Sequence, residues 1–444
     1  MNNNSFRALI MVAAARGWEL RTLDVQSAFL QGMDLDRTVL LKPPKEAGVE
    51  KGKVWLLKKC LYGLCDASRQ WYMKVLEVLK ENGCWPSAQD NSVFTCQKDG
   101  KVIGILGVHV DDFVFAGEES FLEGPIKSML KAFTFGKHEM GKFEYTGFEV
   151  EQNAGGVTLT QSGFLNKWGE LDRSILGKVR NEEKLDDKQI SYLRQLVGKL
   201  NWLTRMTRPD IGFSVVELST KFNCGTGEDL RRAMRLAEKV KHEEAKIFMP
   251  ALKNISDWRM VLYTDASLGS LGNGTGSSGG YVLFVMDMVG RRSVCVAWGC
   301  SKIKRVVAAT LSAEILALQK GLEETVDIRE ICRDLLGQDF NGMPLIVLTD
   351  NQSAVESIYN DTRVAEKRLL RDLAVIKEMV QMKEICKVAW IPGDEMMADA
   401  LTKHGVDGRM LLECLRKGRL ICNYLTRTDG DPWTLEKRGT ISLE

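Results

Sequence analysis

The sequence predicts a mixed α/β (α+β) chain of 444 residues built from more than one unit. Three observations carry this expectation. Apolar runs at 104–110 and 113–116 flank the adjacent acids Asp111 and Asp112, the pattern of a buried β-hairpin with carboxylates at its tip. Residues 188–250 read as mostly helical, a connector between units. From Trp258 onward the order reads βββαβααβα, a mixed sheet with helices against it.

Composition narrows the function classes. At 44% hydrophobic and 27% charged residues the chain is ordinary globular protein, long enough for two or three cores. A net charge of +2 supplies no global field for nucleic acid, although 61 Lys and Arg can build a local basic face. The 11 cysteines show no CxxC pair and no zinc spacing, which predicts reduced thiols and an intracellular location. The N-terminus has no signal-peptide core, and no 18-residue apolar run predicts a membrane span.

Each element has a local cause. Residues 6–17 read as a helix stopped by Gly17, beginning so close to Met1 that the start looks truncated. A strand follows at 19–25 with Asp24 near its end, then a helical turn at 26–32 and a strand at 39–44 ended by prolines. Residues 67–79 place Trp71, Val75, Val78 and Leu79 on one helix face. A strand at 93–96 and a turn at 98–101 lead into the acidic hairpin. Then come a helix at 120–134 and two strands at 143–161 around Gly155-Gly156. In the last unit, strand 260–266 ends in Asp265, and residues 269–280 read as a Gly/Ser-rich turn. Strands at 280–285 and 294–298 complete a meander. Helix 311–336, strand 345–348, helices 352–359 and 364–384, strand 388–391 and helix 395–404 follow. The tail after Gly405 is basic and reads as loosely ordered.

The acids carry the chemistry. Asp265 and Asp350 are expected at strand ends, Glu314 near a helix start after Thr310 and Ser312, and Asp399 in a helix capped by Asp394. Taken singly, each has a plain structural reading as a cap, a turn former or a solvated helix residue. Strand ends and helix starts converge on one edge of an α/β sheet. Four carboxylates there repel unless cations sit among them, and two Mg²⁺ ions would satisfy them. The first unit repeats the logic: Asp24 with Asp111 and Asp112 could hold two metals roughly 3.5–4 Å apart. Phe29 is either a pocket wall or a core aromatic.

The words Leu23–Gly32, 58–64 with Arg69-Gln70-Trp71-Tyr72, and Val108-His109-Val110-Asp111-Asp112 make residues 7–248 resemble a copia-type LTR retrotransposon reverse transcriptase. Thr207-Arg208-Pro209-Asp210-Ile211 belongs to the same pattern. Thr310–Glu314, Thr349-Asp350-Asn351-Gln352-Ser353-Ala354 and Ala398-Asp399-Ala400-Leu401-Thr402-Lys403 make residues 258–405 resemble the ribonuclease H region that follows it. The resemblance implies a right-hand-like palm with partial fingers over 1–175, a helical thumb or connection over 176–255, a ribonuclease H-like unit over 256–405 and a tail over 406–444. It implies RNA-directed DNA polymerase chemistry at Asp24, Asp111 and Asp112, and cleavage of RNA in RNA–DNA hybrids at Asp265, Glu314, Asp350 and Asp399. All seven acids become metal ligands, for Mg²⁺ or Mn²⁺, two ions per site. Phe29, Gly63, Arg69, Gln70 and His109 become substrate-binding residues, with Phe29 the gate against a 2′-hydroxyl. The implied partners are RNA template, DNA primer, hybrid and deoxynucleoside triphosphates, in a cytoplasmic particle or the nucleus.

The sequence also departs from the pattern. His109 stands where the family has Tyr, and Cys65-Asp66-Ala67-Ser68 replaces a basic word with one bearing an acid. Lys367-Arg368-Leu369 removes the family's histidine, so no His proton shuttle is expected between Asp350 and Asp399. The fingers strands that grip triphosphate would precede Met1, and each charge-assisted bond lost with them is worth about 1.5–3 kcal/mol. Weak or no polymerase activity and metal-dependent hybrid cleavage are therefore expected, from a polyprotein fragment or a decayed copy. The alternative is a catalytically inactive relic or a hybrid-binding protein; seven intact acids argue against long decay.

Overall fold

A computed structural model describes residues 1–427 apart from 244, 273, 289–290 and 361–365. It divides into two compact units, one of Met1–Thr146 with Ile331–Gln338, the other of Gly147–Glu330 with the remainder.

In the first unit, the apolar runs around the acids form the centre of a six-stranded antiparallel sheet. Its order is Cys84–Pro86, Val93–Lys98, Lys101–His109, Asp112–Gly117, Arg21–Val25, Phe135–Met140. Leu106, Val108, Phe113 and Phe115 share a core with Trp71, Val75, Val78 and Leu79 of the helix Ala67–Glu81. That face is the one read from the sequence. Ile105, Val114 and Ala116 are buried as well, so the central strands are apolar on both sides. Asp99 and Gly100 both take positive φ, 51° and 78°, the two-residue turn that matches strand twist. The helix Asn3–Arg16 ends at Gly17 with φ 68°, as the sequence predicts.

Several expectations change here. The 39–44 strand shrinks to Leu40–Leu41, paired with Trp55–Leu56. The 120–134 helix is interrupted by a π-turn at Leu122–Ile126, because Pro125 has no N–H to continue the ladder. The 143–161 segment makes three strands, since Thr146 and Gly147 turn the chain at positive φ. Cys84 and Cys96 face each other on paired strands and form a disulfide, which corrects the expectation of reduced thiols at that pair; the nine other cysteines are free.

The second unit combines helices with a five-stranded mixed sheet. Capping boxes start Asp187–Met206 (Asp186 with Gln189) and Gly227–His242 (Thr226 with Asp229). Trp298 Nε1 donates to the Thr204 carbonyl at 2.8 Å, tying the first of these helices to the sheet. The strand Ile247–Pro250, which the sequence reading missed, pairs with Gly156–Thr160. The sheet order is Ser293–Lys302, Gly276–Asp287, Trp258–Leu271, Leu345–Thr349, Lys387–Trp390, with the last two joined in parallel. The long helix Thr310–Leu336 and the helices Gln352–Tyr359 and Leu369–Gln381 complete the mixed α/β pattern; the first residues of the 364–384 expectation lie outside the described residues.

Two corrections bear on function. The Gly/Ser stretch is largely strand, and Asp265 pairs with Gly280 inside the ladder rather than ending its strand. The 395–404 helix is two 3₁₀ turns, Gly393–Glu395 and Met397–Leu401, so Asp394 caps no helix. A Cβ on Gly280 would lie 2.8 Å from Leu401 and Thr402 side-chain atoms, so glycine there lets the second turn reach the sheet. The chain after Gly405 is not loose up to 427: Arg409–Lys417 is a helix burying Leu411, Cys414 and Leu415.

Gly280→Ala is expected to destabilise the protein by overpacking, by about 1–3 kcal/mol. A lower thermal midpoint against wild type checks it.

Candidate active sites

Register brings the first three acids together at one edge of the sheet. Asp24 lies directly opposite Asp112 on adjacent antiparallel strands, and Val110-Asp111 form the turn between His109 and Asp112. Val110 has φ 58°, a left-handed conformation that a β-branched residue rarely adopts, costing of order 1–3 kcal/mol. The surroundings hold it. Trp71 Nε1 donates to the Val110 carbonyl at 2.5 Å, and the Val25 amide to the Asp111 carbonyl at 2.9 Å. Burial first, then Asp111, Asp24 and Glu144, pushes the Asp112 carboxyl up to about 6. Glu144 is a fourth acid that the sequence reading missed. Burial also pushes the His109 imidazole below its ordinary value.

The other expected residues of this unit take varied positions. Phe29 is buried in the core with its ring 4.6 Å from that of exposed Tyr62. Gly63 follows at φ 97°. Arg69 and Gln70 lie on the first turn of Ala67–Glu81, Arg69 exposed. The acid gained at Asp66 is answered by Arg37 in a bidentate pair at 3.0 and 2.9 Å.

The second unit holds the tighter cluster. Ligand oxygens of Asp265, Glu314 and Asp350 all lie within 4.8 Å of one another, the one such group among the described residues. Asp265 comes from the central strand, Glu314 from the long helix, and Asp350 from just past the strand Leu345–Thr349; Asn351, not Asp350, caps the next helix. Ser312 gives its hydroxyl to Glu366 at 2.5 Å. Asp265 and Glu314 are buried, and Asp265 Oδ1 and Glu314 Oε2 have no hydrogen-bond partner. Burial, then Asp265 and Asp350, pushes Glu314 up to about 9. Burial pushes Asp265 up to about 7, against a hydrogen bond from the Thr402 hydroxyl.

Asp399 stands beside this group rather than in it, and Lys403 joins them. The Lys403 ammonium is 2.5 Å from Asp399, 3.3 Å from Asp265 and 3.5 Å from Asp350. Burial raises Asp399 as well, opposed by the Lys403 bond. The sequence reading quoted Lys403 without a role, although its spacing of four from Asp399 is the signal of a helix-type ion pair. Thr402 is positioned by its own carbonyl, which accepts from Ser278 at 2.8 Å.

Residues 1–171 match the family described as reverse transcriptase (RNA-dependent DNA polymerase). The retrovirus-related Pol polyprotein from transposon RE1 of Arabidopsis thaliana is 27% identical over 91% of the chain. That from transposon TNT 1-94 of Nicotiana tabacum is 26% identical over 90%. The chain is related to copia-type retrotransposon Pol polyproteins. It spans 28% of the RE1 protein and 31% of the tobacco one. A foamy viral protease–reverse transcriptase solved in complex with RNA/DNA hybrid shares the fold, with a TM-score of 0.50 at 14% identity over 88% of this chain and 46% of that one. Among the described residues, no helix is long and apolar enough to cross a membrane.

Carboxylates must be ionised to hold a metal, and burial pushes Asp265 and Glu314 up to about 7 and about 9. Mg²⁺ uptake is therefore expected to release protons at pH 7, with affinity rising and release fading as pH passes 9. Calorimetric titration in buffers of differing ionisation enthalpy checks it.

Proposed function

We propose that the chain carries two nucleic-acid activities, metal-dependent cleavage of RNA in RNA–DNA hybrids in its second unit and RNA-directed DNA synthesis in its first. One observation carries the first reading: three carboxylates from three separate elements converge within 4.8 Å, where buried Glu314 Oε2 has no hydrogen bond and Asp265 Oδ1 meets only the Lys403 ammonium at 3.3 Å. Buried polar atoms are seldom left so without a purpose. An all-oxygen, anionic donor set suits Mg²⁺ or Mn²⁺.

Asp265, Glu314 and Asp350, with Asp399 beside them, would hold the ions. Bound there, two divalent ions supply the Lewis acidity that activates an attacking oxygen and offsets charge on the phosphoryl group. The chain's own residues set the frame. Thr402 holds one oxygen of Asp265 by its hydroxyl, which fixes the carboxylate's orientation. The shallow minor groove of a hybrid, with its 2′-hydroxyls, is the surface such a site reads.

The first unit offers Asp24, Asp111 and Asp112 at a rigid sheet edge for nucleotidyl transfer to a DNA primer from deoxynucleoside triphosphates, again with Mg²⁺ or Mn²⁺. The strained but pinned hairpin tip supports this, since strain retained at a turn marks a site whose geometry matters. Phe29, Gly63, Arg69, Gln70 and His109 are proposed to line the path of primer, template and nucleotide. A buried Phe29 ring fits a wall better than a mobile contact.

Asp350→Asn is expected to lower cleavage of a labelled RNA–DNA hybrid about 100-fold or more while leaving primer extension unchanged. Asp111→Asn should do the reverse. Hybrid cleavage by Asp350→Asn at the wild-type rate would overturn the reading.

A further inference from the structure

We propose that Lys403 is a tethered internal cation, seated among Asp265, Asp350 and Asp399 in the metal-free protein, that divalent metal must displace. It would thereby set the metal concentration at which the site loads. The inference rests on the reading that these acids hold metal.

The geometry supports it in three ways. First, one ammonium serves three carboxylates, at 2.5, 3.3 and 3.5 Å, so it lies among them rather than on one. A surface ion pair would engage a single partner and contribute little. Second, the partners are sheltered while the lysine leads outward: side-chain exposure is 1% for Asp265, 16% for Asp399 and 19% for Asp350, against 34% for Lys403. The long apolar stem can stay at the rim while its head withdraws to water. Third, the site holds its anchor still. Thr402, the preceding residue, is fully buried, donates to Asp265 and accepts through its carbonyl from Ser278. The backbone at 403 is thus fixed, and the motion required is confined to one side chain.

Displacement follows from charge and from shared oxygens. Asp265 Oδ1 lies 3.3 Å from the ammonium and is one of the buried oxygens without a hydrogen bond. An ammonium has no lone pair, so it cannot join the ion's coordination shell. Two cations crowded against the same oxygens repel strongly in a sheltered site. Removing the lysine charge should leave the acids without their internal counter-ion. The metal-free protein should then be less stable and the metal-bound protein more strongly favoured.

The test is calorimetric titration of the full chain with Mg²⁺, alongside thermal midpoints in EDTA and in Mg²⁺. Wild type, Lys403→Met, Lys403→Gln and Lys403→Arg are compared, with Asp350→Asn as the variant that removes a ligand. Lys403→Met and Lys403→Gln should bind Mg²⁺ about tenfold more tightly, or more, than wild type. They should melt lower in EDTA and gain more on adding Mg²⁺. Lys403→Arg, which keeps the charge, should stay within a few-fold of wild type. Equal or weaker binding by the neutral variants, with Asp350→Asn still reducing it, overturns the inference and leaves the metal reading standing. No heat from wild type or any lysine variant overturns both.

Discussion

Mutual repulsion among buried carboxylates governs the second unit. Asp265 and Glu314 are buried, Asp350 is within reach of both, and Asp399 is one lysine away. Ionised together in a sheltered site they would drive the elements apart. The chain meets this in two ways: burial keeps protons on Glu314 and Asp265 well above the usual carboxylate range, and Lys403 lies among the acids. The neighbouring sequence follows from that need. Gly280 leaves room for the 397–401 turn, Ser278 and Thr402 fasten it, and the turn delivers Asp399 and Lys403.

The first unit meets a related problem with a different construction. Its acids sit on facing strands and on a two-residue turn, and they do not close into a group as tight as that of the second unit. Burial, with Asp111, Asp24 and Glu144 nearby, pushes the Asp112 carboxyl up to about 6. What is unusual here is backbone, not charge. Val110 is held at positive φ by Trp71 and by the burial of both flanking strands. The acids are aimed by the hairpin rather than gathered from distant segments.

The hairpin was legible because its signal is local: an apolar run, two acids and a second apolar run. The face of helix Ala67–Glu81 and the succession of strands and helices from Trp258 to Trp390 were legible for the same reason. What escaped was set by partners far away in sequence. Residues 276–280 look like a turn because they are small, yet a Cβ on Gly280 would meet Leu401 and Thr402, and one on Gly279 would meet Ala317 and Ile303. That error moved Asp265 from a strand's interior to its end. The 395–404 stretch looked helical from composition but is shaped by docking on that surface. Lys403 was visible as a residue and invisible as a counter-ion, because Asp265 and Asp350 lie 138 and 53 positions before it. The Cys84–Cys96 pairing was likewise a matter of strand register, which no spacing motif announces.

The central claim is that the acids of the second unit are built around divalent cations. Anomalous diffraction from crystals of the full chain grown with Mn²⁺ addresses it directly. The expected result is an anomalous peak bounded by Asp265, Glu314 and Asp350, with the Lys403 side chain turned away from them. Crystals soaked to saturating Mn²⁺ that show no peak there, and Lys403 still seated among the carboxylates, would contradict it.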